Sequence, residues 1–345
     1  MPIPTGVVSE LPQGAAVVVV RMRSLGDIVL ITPALSLLKA ARPDLRISVV
    51  LARPFQGLLA GNPDVTNELI DLGETFPLVR TLREIRRLKP ALCLDLYGST
   101  RTARWTALSG ARFRAGYGHV RGSYCYGIKI PRAQDVLGLP ADRPVHTVEQ
   151  HASAVFHLGV PLSDIPRTSL HAEPEMRRRP YAVLHIAALY HTKEWPLDRF
   201  RQTAEILRDR HSLEPIFISA PGRGGMFAGL SAFTCLDNLS LTSLKSLIAG
   251  SALFVGIDSG PAHVAAAFGV PTVTIFGSSN SLAWRPWRTA SAVVETEWDC
   301  KPCKGDRCYA FDEPRCILSV ETYQVEKAIQ QVLSESQTAY PAKGL

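Results

Sequence analysis

The sequence predicts an α/β fold built in two halves, each a parallel sheet with helices on both faces. Three observations carry that prediction. Short apolar runs rich in β-branched residues alternate with segments of helical spacing, the order that yields parallel sheets. The alternation stops over residues 162–180, where Pro166, Pro174 and Pro180 and the charged group Glu175, Arg177, Arg178 and Arg179 replace apolar periodicity, and then starts again. A chain of 345 residues also exceeds the usual size of one domain. The expected boundaries are 1–165 for the first domain, 178–319 for the second, and 320–345 for a closing helix and tail.

Residues 15–21 read as the first strand, and 28–41 as a helix with Leu30, Ala34, Leu37 and Leu38 on one face. Residues 46–52 form the second strand. A basic helix over 82–89 stops before Pro90, and the strand 91–96 follows, ending near Asp95 and Gly98. In the second half, 181–186, 215–219, 252–257 and 272–276 read as strands, and 197–210, 243–249 and 261–268 as helices. Residues 320–333 have helical spacing and close the structure.

A content of 46% hydrophobic and 20% charged residues is that of a globular chain in water, and no apolar run approaches the length of a membrane span. The opening Met1-Pro-Ile-Pro-Thr-Gly6 lacks the basic and apolar regions of a secretory signal, so a cytoplasmic location is expected. A net charge of +7 points to a polyanionic partner or to a merely solvated basic surface. No recognised motif accompanies that charge, which disfavours nucleic acid, and no G-x-G-x-x-G follows the first strand, which disfavours a nicotinamide dehydrogenase. Seven cysteines, an odd number, argue against a disulfide framework; Cys93, Cys125 and Cys235 are scattered and read as buried or free thiols.

The segment from Gly256 to His263 carries the clearest chemical signal. Asp258 falls at the carboxyl end of a buried strand, where ligands bind in open α/β sheets. Ser259 is a candidate N-cap, Pro261 suits the first helical position, and Gly260 permits close approach to the backbone. A helix amino terminus of this kind takes a phosphate group; a strand-to-helix turn with ordinary capping is the other reading.

Three segments, in order, resemble the signatures of glycosyltransferase family 9, the ADP-heptose:lipopolysaccharide heptosyltransferases. They are Arg21-Met-Arg-Ser-Leu-Gly-Asp-Ile-Val-Leu-Ile-Thr-Pro-Ala-Leu35, then Lys193-Glu-Trp-Pro196, then Asp258-Ser-Gly-Pro-Ala-His263 with Gly269-Val-Pro-Thr272 and Ile275-Phe-Gly277. The resemblance spans roughly residues 17–333. It implies the GT-B fold: two Rossmann-like domains with parallel sheets facing a central cleft, and a last helix that crosses back to the first domain. It also implies inverting transfer of heptose from ADP-L-glycero-D-manno-heptose to the inner core of lipopolysaccharide, on a Kdo- or heptose-bearing lipid A. The same fold with another nucleotide sugar or a protein acceptor is the alternative, and a nucleotide-binding protein without activity comes third.

An inverting transfer needs a base for the acceptor hydroxyl, and the resemblance gives that role to Asp27, which also suits an N-cap for the helix that follows. Lys193 and the amides of Ser259, Gly260 and Ala262, after Pro261, are assigned to the diphosphate, and Asp258 to the donor sugar. His263 is either a ligand contact or structural. Thr192 is the polar contact left before Lys193, and Leu239 lies where the family lines its adenine pocket. Gly26, Arg53, Arg101 and Arg104 are the acceptor-side candidates in an arginine-rich first half. Catalysis is expected to need no cofactor. The partners implied are an ADP-sugar, an anionic glycolipid and the inner-membrane surface, on whose cytoplasmic face the enzyme would be peripheral. One departure from the family is the segment Ser219-Ala-Pro-Gly-Arg-Gly-Gly225, which has Arg223 and no acid for the nucleotide ribose.

Cys300, Cys303, Cys308 and Cys316 gather four thiols over residues 300–316, a spacing that suits a structural Zn or Fe site; free thiols in a loop, or disulfides formed after isolation, are the alternatives.

Overall fold

A computed structural model describes residues 5–73, 77–303 and 305–339. The chain divides into two compact units, Met1–His171 and Ala172–Leu345.

The first unit runs α1 (Val7–Glu10), β1 (Ala16–Val20), α2 (Leu25–Val29), α3 (Thr32–Ala41), β2 (Arg46–Ala52), β3 (Asn67–Asp71), α4 (Pro77–Arg87), β4 (Leu92–Asp95), α5 (Thr100–Leu108), β5 (Phe113–Tyr117), β6 (Ile128–Ile130), α6 (Ala133–Leu137) and α7 (Thr147–His157). Its six strands are parallel in the order β3-β2-β1-β4-β5-β6. All five residues of β1 are buried, as a central strand covered on both faces requires. Val18, Val20, Val50, Cys93, Ile85 and Trp105 form the core on one side.

The helix expected over 28–41 is two helices, because Pro33 has no N–H to offer the Val29 carbonyl. The Thr32 hydroxyl donates to that carbonyl instead, at 2.8 Å. Its oxygen also accepts the amide of Ser169 at 3.0 Å, so the break is built in rather than frayed.

The second unit runs β7 (Tyr181–His185), α8 (Leu197–His211), β8 (Glu214–Ile218), β9 (Thr234–Leu236), α9 (Leu241–Ala249), β10 (Leu253–Ile257), α10 (Gly260–Phe268), β11 (Thr272–Ile275), α11 (Ser281–Trp284), β12 (Ser291–Val294), α12 (Arg315–Leu318) and α13 (Thr322–Ala339). Its sheet is again six parallel strands, ordered β12-β11-β10-β7-β8-β9. Over its described residues, α13 packs on β11, β12 and α8 of this unit. Trp195 and Arg199 fix the approach to it: the indole Nε1–H donates to the Val320 carbonyl at 2.8 Å, and the guanidinium donates to the carbonyls of Leu318 and Val320.

Read from the centre, the two sheets share one strand order. In each, the chain starts in the middle, builds one flank, then returns to build the other, which puts the topological switch between β1 and β4 in the first unit and between β7 and β10 in the second. The crevice beyond the carboxyl ends of the strands at such a point is where open α/β sheets hold ligands. Among the described residues no helix is long and apolar enough to cross a membrane.

Candidate functional site

The switch point of the first unit lies where the chain leaves β1. Asp27 sits in the first turn of α2, a helix capped by Ser24, so it is not the N-cap that the sequence allowed. Its Oδ2 accepts the Ser24 amide at 2.9 Å and the Ser24 hydroxyl at 2.8 Å, closing a capping box from inside the helix. Its Oδ1 pairs with Nη2 of Arg21. Arg21 reaches the neighbouring strand as well, donating from Nη1 to the Leu96 carbonyl just beyond β4 at 2.6 Å, with its guanidinium over the Tyr97 ring. It therefore ties both strands of the switch to the carboxylate of Asp27. Sequence reasoning assigned Arg21 no role, although it opens the first signature segment.

Asp95, at the end of β4, is fully buried and turned into the fold. It accepts the amides of Tyr97 and Gly98, each at 2.9 Å, and the Tyr126 hydroxyl at 2.8 Å, while burial raises its pKa. Gly116 makes room for that tyrosine, since a Cβ there would lie 2.4 Å from its ring.

The acceptor-side candidates are placed unequally. Gly26 is buried inside α2. Arg101 donates from Nη2 to both oxygens of the buried Asp71, at 2.7 and 2.8 Å, and stacks over Trp105; its charge is answered within the unit, contrary to the expectation of a free acceptor contact. Arg53, in the turn after β2, and Arg104, on α5, are exposed and have no hydrogen-bond or ionic partner among the described side chains.

In the second unit the loop after β7 carries Lys193, and Asp258 directly follows β10. Lys193 Nζ lies 2.7 Å from Asp258 Oδ2, with side-chain exposures of 24% and 9%. The two residues assigned separately to diphosphate and sugar thus form one ion pair across the switch. Asp258 is further anchored by its amide, which donates to the Ile275 carbonyl at 3.0 Å.

Ser259 is the N-cap of α10 by position, yet its hydroxyl does not bond the helix amides. It lies 2.9 Å from His185 Nδ1 and 3.1 Å from the Ile257 carbonyl. His185 ends β7 and is fully buried, and burial pulls its pKa down to about 4, so the ring is neutral. No sequence motif singles out this histidine. Pro261 occupies the first turn of α10 as expected, with Gly260 at its start. The Ala262 amide bonds the Ser259 carbonyl at 3.2 Å and is not free for a phosphate, contrary to expectation. His263 is buried in α10, only 4% exposed.

Thr192 departs from its expected place. It is 1% exposed and its hydroxyl donates to the Gly305 carbonyl, so it points into the cysteine-rich segment rather than towards a ligand. Leu239 is half-buried between β9 and α9, on the carboxyl edge of the sheet. An acid does stand beside residues 219–225, brought from elsewhere in the chain. Asp237, just after β9, accepts the Ser219 hydroxyl at 3.1 Å and lies so close to Gly224 that a Cβ there would be 2.7 Å from its Oδ2. Glu194, beside Lys193, pairs with Arg223 at 2.7 Å. A cavity of about 650 Å³ opens here, lined by His191, Glu194, Trp195, Gly225 and Met226 among others.

The four clustered cysteines line a single cavity of about 140 Å³ together with Thr192 and Ser278. Among the described residues, however, no group of three or more His, Cys, Asp and Glu side chains is disposed to hold a metal ion. The segment packs against the turn after β11, where the Cys303 amide donates to the Ser278 carbonyl at 3.0 Å, and against the Lys193 loop, where the Gly305 carbonyl accepts from Thr192.

The family profile described as glycosyltransferase family 9 (heptosyltransferase) matches residues 80–311. The chain is 27% identical to lipopolysaccharide heptosyltransferase 1 of Pseudomonas aeruginosa, across 93% of this chain and 99% of that protein. It is 25% identical to lipopolysaccharide heptosyltransferase 3 of Escherichia coli K12, across 77% and 83%. The structure of Escherichia coli ADP-heptose lps heptosyltransferase II superposes with a TM-score of 0.76 at 18% identity, covering 93% of this chain and 99% of that one, and identifies the fold as GT-B. With a profile matched over more than half its length and both signature turns at switch points of parallel sheets, this chain belongs to glycosyltransferase family 9, the heptosyltransferases.

Proposed function

We propose that the chain moves heptose, with inversion, from an ADP-heptose to the inner core of a lipopolysaccharide acceptor, with Asp27 as the general base. One observation carries the reading: the Lys193–Asp258 pair beside the start of α10, at the switch point of the second sheet. That corner combines a cation on a loop, a carboxylate and a helix amino terminus, which together suit a sugar attached to a diphosphate. The names of the relatives support heptose as the sugar and lipopolysaccharide as the acceptor class.

The reaction follows from this chain's own side chains. A carboxylate offers about four lone-pair sites, and Asp27 uses three on Arg21, the Ser24 amide and the Ser24 hydroxyl, leaving one for the acceptor O–H. Asp27 takes that proton as the acceptor oxygen attacks the anomeric carbon, and the bond from that carbon to the phosphate oxygen breaks with its electron pair. Lys193 and the start of α10 meet the charge that develops on the departing ADP. Asp258, held by Lys193, is left to accept from sugar hydroxyls. Asp237, beside the glycine-rich loop after β8, supplies the acid for the ribose. We place the enzyme peripherally on the cytoplasmic face of the inner membrane, where such an acceptor is presented.

The test is mass-spectrometric detection of sugar transfer from a panel of ADP- and UDP-sugars to a truncated lipopolysaccharide, with ADP release followed in parallel. ADP release that requires both substrates, and an inverted product, is expected. Wild-type turnover in Asp27→Ala would refute the assignment of the base.

A further inference from the structure

The stretch that separates the two halves of the sequence is not a slack linker where it meets the second unit. The Glu175 amide donates to the Ser246 carbonyl at 2.8 Å, and the Tyr181 hydroxyl donates to the Glu175 carbonyl at 3.1 Å. Gly250 has no side chain because this strand of chain lies against it: a Cβ there would be 2.1 Å from the Glu175 oxygen. Arg177 pairs with Glu175 at 2.7 Å and stacks on the Tyr181 ring.

On this fixed support stands Met176, 85% exposed. Arg178 and Arg179 follow it, exposed and with no ionic or hydrogen-bond partner among the described residues. Arg208 of α8 joins them around a shallow cavity of about 1040 Å³ that Glu214 and Phe233 also line. Glu175 and Asp209 pair with Arg177 and Arg208, and among the residues that line the cavity Glu214 is the one acid beside Arg177, Arg178, Arg179 and Arg208. The cavity borders Pro180, Glu214 and Pro215, at the amino-terminal ends of β7 and β8, the edge opposite to Lys193 and Asp258.

We propose that this edge of the second unit is a docking surface for an anionic lipid bilayer, with Met176 entering the boundary between headgroups and acyl chains and Arg178 and Arg179 on the lipid phosphates. Charge alone would fit any polyanion. The apolar side chain decides for a bilayer, because a nucleic-acid backbone gives an extended methionine no apolar environment, whereas the interfacial region of a membrane does. The support is ordered before contact, so docking loses little conformational entropy. The inference rests on the proposed glycolipid substrate for its purpose, but binding is measured without turnover.

The experiment is co-sedimentation of the full chain with vesicles of phosphatidylcholine alone or mixed equally with phosphatidylglycerol, at low and at physiological salt. Binding to the mixed vesicles only, weakened by salt, is expected. Replacing Arg178 and Arg179 together by glutamine should lower the partition constant by about 25-fold, roughly fivefold for each arginine. Met176→Asp should lower it by about tenfold or more. Both variants should keep the wild-type urea midpoint and the wild-type rate of ADP release with a water-soluble acceptor fragment. Equal binding to phosphatidylcholine vesicles, unchanged partition in the variants, or release of the protein by millimolar glycerol phosphate would each overturn the proposal. Vesicle binding without any sugar transfer would sink the transferase reading and leave this one standing; transfer without vesicle binding would do the reverse.

Discussion

Lys193→Ala separates the two roles that the ion pair combines. In the wild type, Nζ lies 2.7 Å from a carboxylate that is only 9% exposed, while the lysine itself is 24% exposed. Breaking a buried pair by deleting one partner costs about 3–5 kcal/mol; because water reaches the lysine side of this pair, about 2 kcal/mol is the fitting figure. The double variant Lys193→Ala/Asp258→Asn removes the orphaned charge and should recover stability to within about 1 kcal/mol of wild type. Activity should not follow. A cation that meets charge developing on a leaving phosphate is comparable to an oxyanion donor, so both variants should lose about 10²–10³ in kcat. Urea denaturation gives the first quantity, and ADP release at saturating donor and acceptor gives the second. If the double variant regains activity together with stability, Lys193 only neutralises Asp258 and has no role in departure of the diphosphate. A single variant within about threefold of wild-type kcat would dispose of the electrostatic argument as well.

Two further outcomes follow from the geometry. A Cβ at Gly277 would lie 2.5 Å from the Thr192 carbonyl and 2.9 Å from the Ile317 Cβ, so Gly277→Ala should cost about 1–3 kcal/mol in urea denaturation and lower kcat/KM by displacing the loop that carries Lys193; an unchanged midpoint would contradict the packing. His185, whose pKa burial pulls down to about 4, stays neutral in the folded chain while the unfolded chain takes up a proton near pH 6.5. Stability should therefore fall as pH drops from about 6.5 to 4, by as much as about 3 kcal/mol from this residue. His151, buried and shifted the same way, adds to the fall, and Asp95, whose pKa is raised, opposes it. The difference between wild type and His185→Asn across that window isolates the His185 share, and parallel curves for the two would show that the ring is not held neutral.

What the sequence showed of the fold, and what it hid, divides along the geometry of the sheets. β1, β2, β4, β7, β8, β10 and β11 were visible because their apolar residues run almost without interruption, as burial on both faces demands. The unread strands include β3, β6, β9 and β12, which are the four edges of the two sheets. An edge strand buries only part of its surface, and β9 and β3 show this in residues that are mostly half-buried. β5 was missed for a different reason: Gly116 interrupts its apolar run, and the glycine is required by Tyr126, which is ten residues away in sequence and reaches past it to Asp95. The helix broken at Leu30 and Ile31 had its signal in plain sight, in Pro33.

The site divides differently. Asp27, Lys193, Asp258 and the start of α10 were legible because each lies in the connection that leaves a recognisable strand, and the order of strands then brings each connection to a switch point. Arg21, His185 and Asp237 were not, because what gives each a role is a partner that only the fold supplies. Arg21 holds Asp27 while bonded to Leu96, 75 residues on, and that bond exists because β1 and β4, which are not consecutive, lie side by side. His185 reaches Ser259 because β7 pairs with β10, again out of sequence order. Thr192 shows the same logic in reverse, since its hydroxyl was assigned to a ligand on proximity in sequence and is used by Gly305, 113 residues away. A short motif states which atoms arrive at the switch point. Whether their lone pairs and protons are still free there is decided by strands that the motif does not contain.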